Sequence, residues 1–124
     1  MKTILLLTTL STFVIGGNLK AQNCTVFKEG RFIYKEVSGA VSVRKAGKQI
    51  SYYPDSSNTE YDVAWQDSCN FTLTFVKASN PNFKPFVKGD ILYVRIIETI
   101  GDCYKFEGGY NGKTFPPTFM CKED

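Results

Sequence analysis

The chain has 124 residues, with 15 Lys and Arg against 12 Asp and Glu, ten Phe, seven Tyr, one Trp and four Cys. It contains no histidine, which excludes a Ser-His-Asp or Cys-His catalytic unit, histidine-ligated zinc and a histidine pH switch within this chain. The length is that of one domain.

The chain opens on a short positive start, Met1-Lys2-Thr3. An apolar run from Ile4 to Ile15 follows, and then the small, polar stretch Gly16-Gly17-Asn18-Leu19-Lys20-Ala21. This layout predicts a secretory signal peptide over residues 1–21, since the run is shorter than the about 20 apolar residues a spanning helix needs. No membrane span is expected. Cys24 lies just past the run, but Asn23 stands where a lipid anchor calls for a small residue, so no anchor is expected. Cleavage after Ala21 leaves residues 22–124 as a single domain. Lys2 and Lys20 go with the leader, and 13 basic residues then face 12 acidic ones. A near-neutral domain without a basic stripe is not a nucleic-acid binder. The densest positive cluster, Arg44-Lys45 with Lys48, surrounds Gly47 and reads as a solvated turn.

Through the rest of the chain the apolar residues recur with a period of two. Val26 to Lys35 alternates, with Phe32 and Tyr34 on one face and Arg31 and Ile33 on the other, until Ser38-Gly39 ends it. Val41 to Arg44 and Gln49 to Tyr53 flank Ala46-Gly47-Lys48 and predict a tight hairpin, and Pro54 to Asn58 is a polar loop. Glu60 to Gln66 places Tyr61, Val63 and Trp65 on one face, and Phe71 to Phe75 repeats the pattern. Asp67-Ser68-Cys69-Asn70 turns between them, so residues 60–75 read as a second hairpin. Ala78 to Phe86 carries Pro81 and Pro85; it cannot be strand interior and has room for one helical turn. Ile91 to Thr99 is largely apolar and rich in β-branched residues, the pattern of a strand buried on both faces. Gly101-Asp102 turns the chain, Cys103 to Glu107 returns, and Phe115 to Cys121 closes. Pro116-Pro117 marks this last strand as an edge.

About eight short strands and no convincing helix predict an all-β fold, an antiparallel up-and-down meander. Strong twist curls such a meander into a small calycin- or lipocalin-like barrel and removes its edges. The alternative is a β-sandwich.

Cys24, Cys69, Cys103 and Cys121 all fall in the mature part, and none forms a CxxC pair. An even number in a small exported chain predicts disulfides, with three connectivities open. The favoured scheme is Cys24–Cys69 with Cys103–Cys121. The second pair brackets the turn-rich Gly108-Gly109-Tyr110-Asn111-Gly112, and a hairpin folded there brings the two sulfurs together. Loop closure then contributes about 4 kcal/mol for the first pair and about 3 kcal/mol for the second.

Candidate site residues are few. Arg95 sits between Val94 and Ile96 in the most apolar segment, and a buried arginine requires a partner. One reading turns it inward to bind a ligand carboxylate, with Tyr93 on the same face. The commoner one turns it outward to pair with a cross-strand Glu such as Glu107. Trp65 and Tyr61, with Phe71, Phe75, Tyr104 and Phe106, either line an apolar pocket or form an ordinary β core. Glu60, Asp62 and Asp67 fall on the solvent face, without the burial that would split their pKa values for acid–base work. The glycine cluster at 108–112 is not GxGxxG and opens no helix. No catalytic residue, metal ligand or cofactor is expected.

The run Cys24-x-x-Phe27-Lys28-x-Gly30-x-Phe32-x-Tyr34, then Trp65-x-Asp67-x-Cys69-x-Phe71-x-Leu73, then Asn80-Pro81, resembles a group of small, exported, functionally uncharacterised proteins of the Bacteroidetes. Lys20-Ala21-Gln22 is similar to signal-peptide ends in that phylum. The resemblance supports pairing Cys24 with Cys69. Some members carry the label DNA topoisomerase IV, but a small, exported, near-neutral domain cannot build a strand-passing enzyme. The expected function is therefore that of a secreted or periplasmic, non-enzymatic binding module for a small apolar or amphiphilic ligand, with Arg95, Tyr93, Trp65 and Tyr61 as candidate contacts. The alternative is a cell-envelope protein-interaction or structural module with a filled core, working through the Pro81–Pro85 loop.

Overall fold

The computed structural model describes residues 23–123; the signal peptide expected over residues 1–21 lies outside the described residues. The alternating segments form eight strands: β1 Gly30–Tyr34, β2 Val41–Lys45, β3 Lys48–Tyr52, β4 Asn58–Trp65, β5 Asn70–Ala78, β6 Ile91–Ile100, β7 Cys103–Tyr110 and β8 Lys113–Lys122. Each pairs antiparallel with the next, and β8 returns to β1, so the sheet closes into an up-and-down barrel. Closure leaves no sandwich and satisfies the ladder groups that an open sheet would expose.

Two turns show how the sequence sets the register. Ala46 and Gly47 have φ of 53° and 79°, and Asn111 and Gly112 have φ of 54° and 80°. This is the type I′ arrangement, whose twist matches that of the strands it joins. It places Lys45 opposite Lys48 and Tyr110 opposite Lys113.

The lower end of the barrel is closed by a single 3-10 turn, Thr25–Phe27, with Cys24 and Phe27 buried. Those residues were expected to lie in a strand from Val26. The chain stays out of the ladder until Gly30 because the Cys24–Cys69 disulfide ties it to the β4–β5 turn. Cys103 and Cys121 face each other in the β7–β8 ladder and form the second disulfide. Both pairs are those of the favoured scheme.

At the upper end, the irregular segment between β5 and β6 folds back over the barrel. Phe83 stacks on Phe75 with ring centroids 5.4 Å apart, and Phe86 meets Tyr110 edge-on at 5.0 Å. The segment holds no helical turn; Phe83 N donates to the Asn80 carbonyl at 3.0 Å and makes a reverse turn instead.

Two further expectations are corrected. β6 is not buried on both faces: Val94 and Ile96 point into the core, while Ile91 and Tyr93 are exposed at 41% and 60%. A strand in a single closed sheet has only one covered face, whatever its composition. β8 is not a free edge either. Its C-terminal end closes the barrel through Phe32↔Lys122, Ile33↔Cys121 and Tyr34↔Met120. Its diproline stretch, which has no N–H to give a ladder, lies beyond the end of β1, and the β7–β8 register shifts beside it, between Phe106 and Gly108.

Candidate functional site

Two walls of the barrel turn different chemistry inward. On β5, β6 and β7 the buried side chains are Phe71, Leu73, Phe75, Val94, Ile96 and Tyr104. On the β2–β3 hairpin and the start of β4 they are Ser42, Arg44, Gln49, Ser51 and Thr59, each at most 3% exposed. Val41, Val43 and Ile50 lie on the outer side of the same hairpin, half-buried against one another through Val43↔Ile50 and against Ile33 through Ile33↔Val41. The hairpin is inside-out by the simple rule that apolar residues face the core.

Arg44 explains the inversion. Nε donates to Gln49 Oε1 at 2.9 Å, Nη1 to the Phe27 carbonyl at 2.7 Å and Nη2 to the Tyr104 hydroxyl at 2.9 Å. The guanidinium lies 4.6 Å from the ring centroids of both Phe32 and Phe71. Burying a cation is costly unless it is hydrogen-bonded; here the planar fork meets three neutral acceptors and two aromatic faces, which guanidinium suits better than ammonium does. Arg44 thus joins the 3-10 turn, the β2–β3 hairpin and β7 into a plug that fills the lower half. The reading of Arg44 as part of a solvated turn is overturned.

The polar chain continues upward. Gln49 Nε2 donates to Ser51 Oγ at 3.5 Å, Ser51 and Ser42 share a hydrogen bond of 2.8 Å, and Ser42 Oγ donates to the Tyr34 hydroxyl at 3.5 Å. Above the plug these groups border a cavity of about 110 Å³. Gln49, Ser51, Tyr34, Tyr53 and Tyr61 give it a polar side, and Leu73, Leu92, Phe106 and Phe115 an apolar one. Burial pushes the phenols of Tyr34 and Tyr61 up from their ordinary pKa, because the ionised form loses its hydration. Both remain neutral hydroxyls that can donate and accept.

Tyr53 also borders a wider groove of about 430 Å³, between the Pro54–Asn58 loop and the segment carrying Ala78, Asn80 and Phe83. Its hydroxyl lies 3.1 Å from Thr59 Oγ1. One side chain therefore separates the inner cavity from an open vestibule at the upper end.

Of the four residues singled out from sequence, Tyr61 belongs to this cavity, and Tyr93, largely exposed, borders it from the outer side. Trp65 lies in the plug, packed on Phe71 at 4.3 Å, with the Lys28 ammonium 5.5 Å from its ring. Tyr93 and Arg95 are on the outer surface, since Val94 and Ile96 take the inward positions of β6. The inward Arg95 is not found. Its Nε and Nη2 donate to Glu107 Oε2 at 3.1 and 2.6 Å, across the ladder pair Arg95↔Glu107. Sequence reasoning missed Arg44, Gln49, Ser51, Tyr34 and Tyr53. The available signal was the matched spacing of Ser42 with Arg44 and Gln49 with Ser51 about a tight turn, which puts four polar side chains on one face.

No group of three or more His, Cys, Asp and Glu able to hold a metal occurs among the described residues, and no helix there is long and apolar enough to cross a membrane. No protein-family model, curated protein or solved structure matches this chain.

Proposed function

We propose that this domain is an exported, non-enzymatic binding module that holds a small amphiphile in the upper half of the barrel. The observation that carries the reading is the cavity of about 110 Å³ with polar groups on one side and apolar groups on the other. Orientation in such sites comes from a few placed polar groups, and affinity from the apolar wall. A dry cavity of about 150 Å³ takes benzene, so the inner space here suits a group slightly smaller than a phenol ring. The rest of a longer ligand has the vestibule beyond Tyr53. Two disulfides fit a secreted or periplasmic setting, as does the leader expected over residues 1–21.

Native mass spectrometry of the protein purified from its own compartment tests the reading directly, and a retained mass is the expected result. Titration with short alkanols, followed by amide chemical shifts, gives a second readout. Leu73, Leu92 and Gln49 should move, and Gln49→Leu should weaken 1-butanol binding about tenfold through one lost polar anchor. A chain that carries nothing and shows no shifts at those residues is not a cavity binder. The protein-interaction alternative has one observation in its favour: Val87 and Ile91 stand 68% and 41% exposed where the Pro81–Pro85 segment rejoins the sheet.

A further inference from the structure

The outer wall carries a second depression that the barrel interior does not explain. It has a volume of about 200 Å³ and lies over β5, β6, β7 and β8, beside the β4–β5 turn. The ladder brings Tyr93, Gly109 and Thr114 into one row, through Tyr93↔Gly109 and Gly109↔Thr114. The next row holds Asn70, Arg95 and Glu107, through Asn70↔Arg95 and Arg95↔Glu107. Gly109 supplies no side chain, so the floor between Tyr93 and Thr114 is bare backbone. Its φ is not in the left-handed region, and a Cβ there meets only the Lys113 carbonyl, at 3.4 Å. Neither backbone conformation nor crowding requires glycine at this position; what its absence of a side chain provides is the depression.

The chemistry of the rim narrows the ligand. Tyr93 is 60% exposed, and an aromatic ring lying free beside a shallow floor is a platform for a flat apolar face. Arg95 Nε and Nη2 meet the same carboxylate oxygen of Glu107, leaving Arg95 Nη1 as a donor and Glu107 Oε1 as an acceptor. Their charges cancel, so the site favours neither an anion nor a cation. The four strands are paired in sequence through the ladder here, so a peptide cannot dock by adding a strand.

From the juxtaposition of Tyr93, the Gly109 floor and the Arg95–Glu107 pair, we infer a surface subsite for one ring of a neutral saccharide. Such a ring has an apolar C–H face to lay on Tyr93 and hydroxyls that both donate and accept, as the rim requires. It shares Tyr93, Val94 and Gly108 with the border of the interior cavity, so shifts at Gly109 and Thr114 report this subsite and shifts at Leu73 and Gln49 report the cavity.

The test uses the full mature chain and amide chemical-shift titration with cellobiose, maltose, xylobiose and N,N′-diacetylchitobiose. At least one should shift Tyr93, Gly109 and Thr114 and leave Leu73 and Gln49 in place, with a millimolar Kd, as befits about a dozen heavy atoms on a shallow surface. Tyr93→Ala should weaken that binding about tenfold or more. Gly109→Val, a residue strands favour, should fill the floor and abolish it while the remaining spectrum is kept. The inference is overturned if none of the four sugars shifts those residues, if shifts survive Gly109→Val, or if they cluster on the cavity residues instead. Should Gly109→Val not fold, Tyr93→Ala at its exposed position decides alone: unchanged affinity overturns the subsite.

Discussion

The β2–β3 hairpin and the β5–β6 pair are built from the same alternation, yet one turns Ser42, Arg44, Gln49 and Ser51 inward and the other Phe71, Leu73, Val94 and Ile96. A period of two decides that alternate residues share a face; which face is covered depends on partners from elsewhere in the chain. For β5 and β6 the partners are apolar, and the outward side keeps Arg95. For β2 and β3 the decisive partners are the Phe27 carbonyl and the Tyr104 hydroxyl, 17 and 60 positions away along the chain. The two arginines, Arg44 buried and Arg95 exposed, are the sharpest form of this contrast.

Removing Arg44 should produce the largest effect. Arg44→Ala strips three buried acceptors of their donor and opens the plug, and should cost about 3–5 kcal/mol in urea unfolding. Arg44→Met, which keeps the volume, should cost less. A loss under about 1 kcal/mol for the alanine variant, the range of surface ion pairs, would erase the contrast with Arg95.

The disulfides come next. Paired Cys→Ser replacement of Cys24 and Cys69 should cost about 4 kcal/mol and that of Cys103 and Cys121 about 3 kcal/mol, if loop length governs. The sequence separations are 45 and 18 residues. The reverse order would show that what Cys24 holds in place matters less than the β7–β8 ladder.

Alkaline pH probes the upper half. Tyr34 and Tyr61 ionise later when folded than the ordinary value of 10.0. Below that value both states keep their phenolic protons, and these groups leave stability unchanged. Above it the unfolded chain gives up protons that the folded chain retains, so stability falls as pH rises. Urea midpoints from pH 8 to 11 should bend downward near 10, and Tyr61→Phe should flatten the bend. An unchanged curve in that variant would assign the loss to other groups.

Arg95→Ala should give the smallest change, under about 1 kcal/mol, because its pair with Glu107 is solvated. A larger loss would mean that the outer wall is more tightly coupled to the barrel than an exposed pair allows.

Much of the fold was legible in the sequence. The hairpin over residues 60–75 announced itself because Tyr61, Val63 and Trp65 alternate with charged or small neighbours, and the ladder Tyr61↔Phe75, Val63↔Leu73 and Trp65↔Phe71 follows. The Cys103–Cys121 bridge was legible because Asn111-Gly112 fixes the register around it. The cavity was not. In Val41-Ser42-Val43-Arg44 the valines claim the core by ordinary hydrophobicity, and nothing local reveals that Arg44 will meet acceptors on the first turn and on β7. Arg95 misled for the mirror reason: apolar neighbours on both sides suggested burial, although a strand in a single closed sheet offers its odd residues to water.

Arg44 has one more consequence. Its guanidinium carries a formal charge, and its three hydrogen bonds all end on neutral oxygens. The barrel therefore carries a standing positive potential behind Gln49, which borders the cavity. In a low-dielectric interior such a potential reaches further than it would in water. If the cavity binds as proposed, a ligand that turns a carboxylate or an electron-rich oxygen toward the polar wall would be drawn in, and one with an ammonium head turned away. Hexanoate should accordingly bind more tightly than hexylammonium, and equal affinities would mean that the two phenylalanine rings and the bonded oxygens already absorb the whole field.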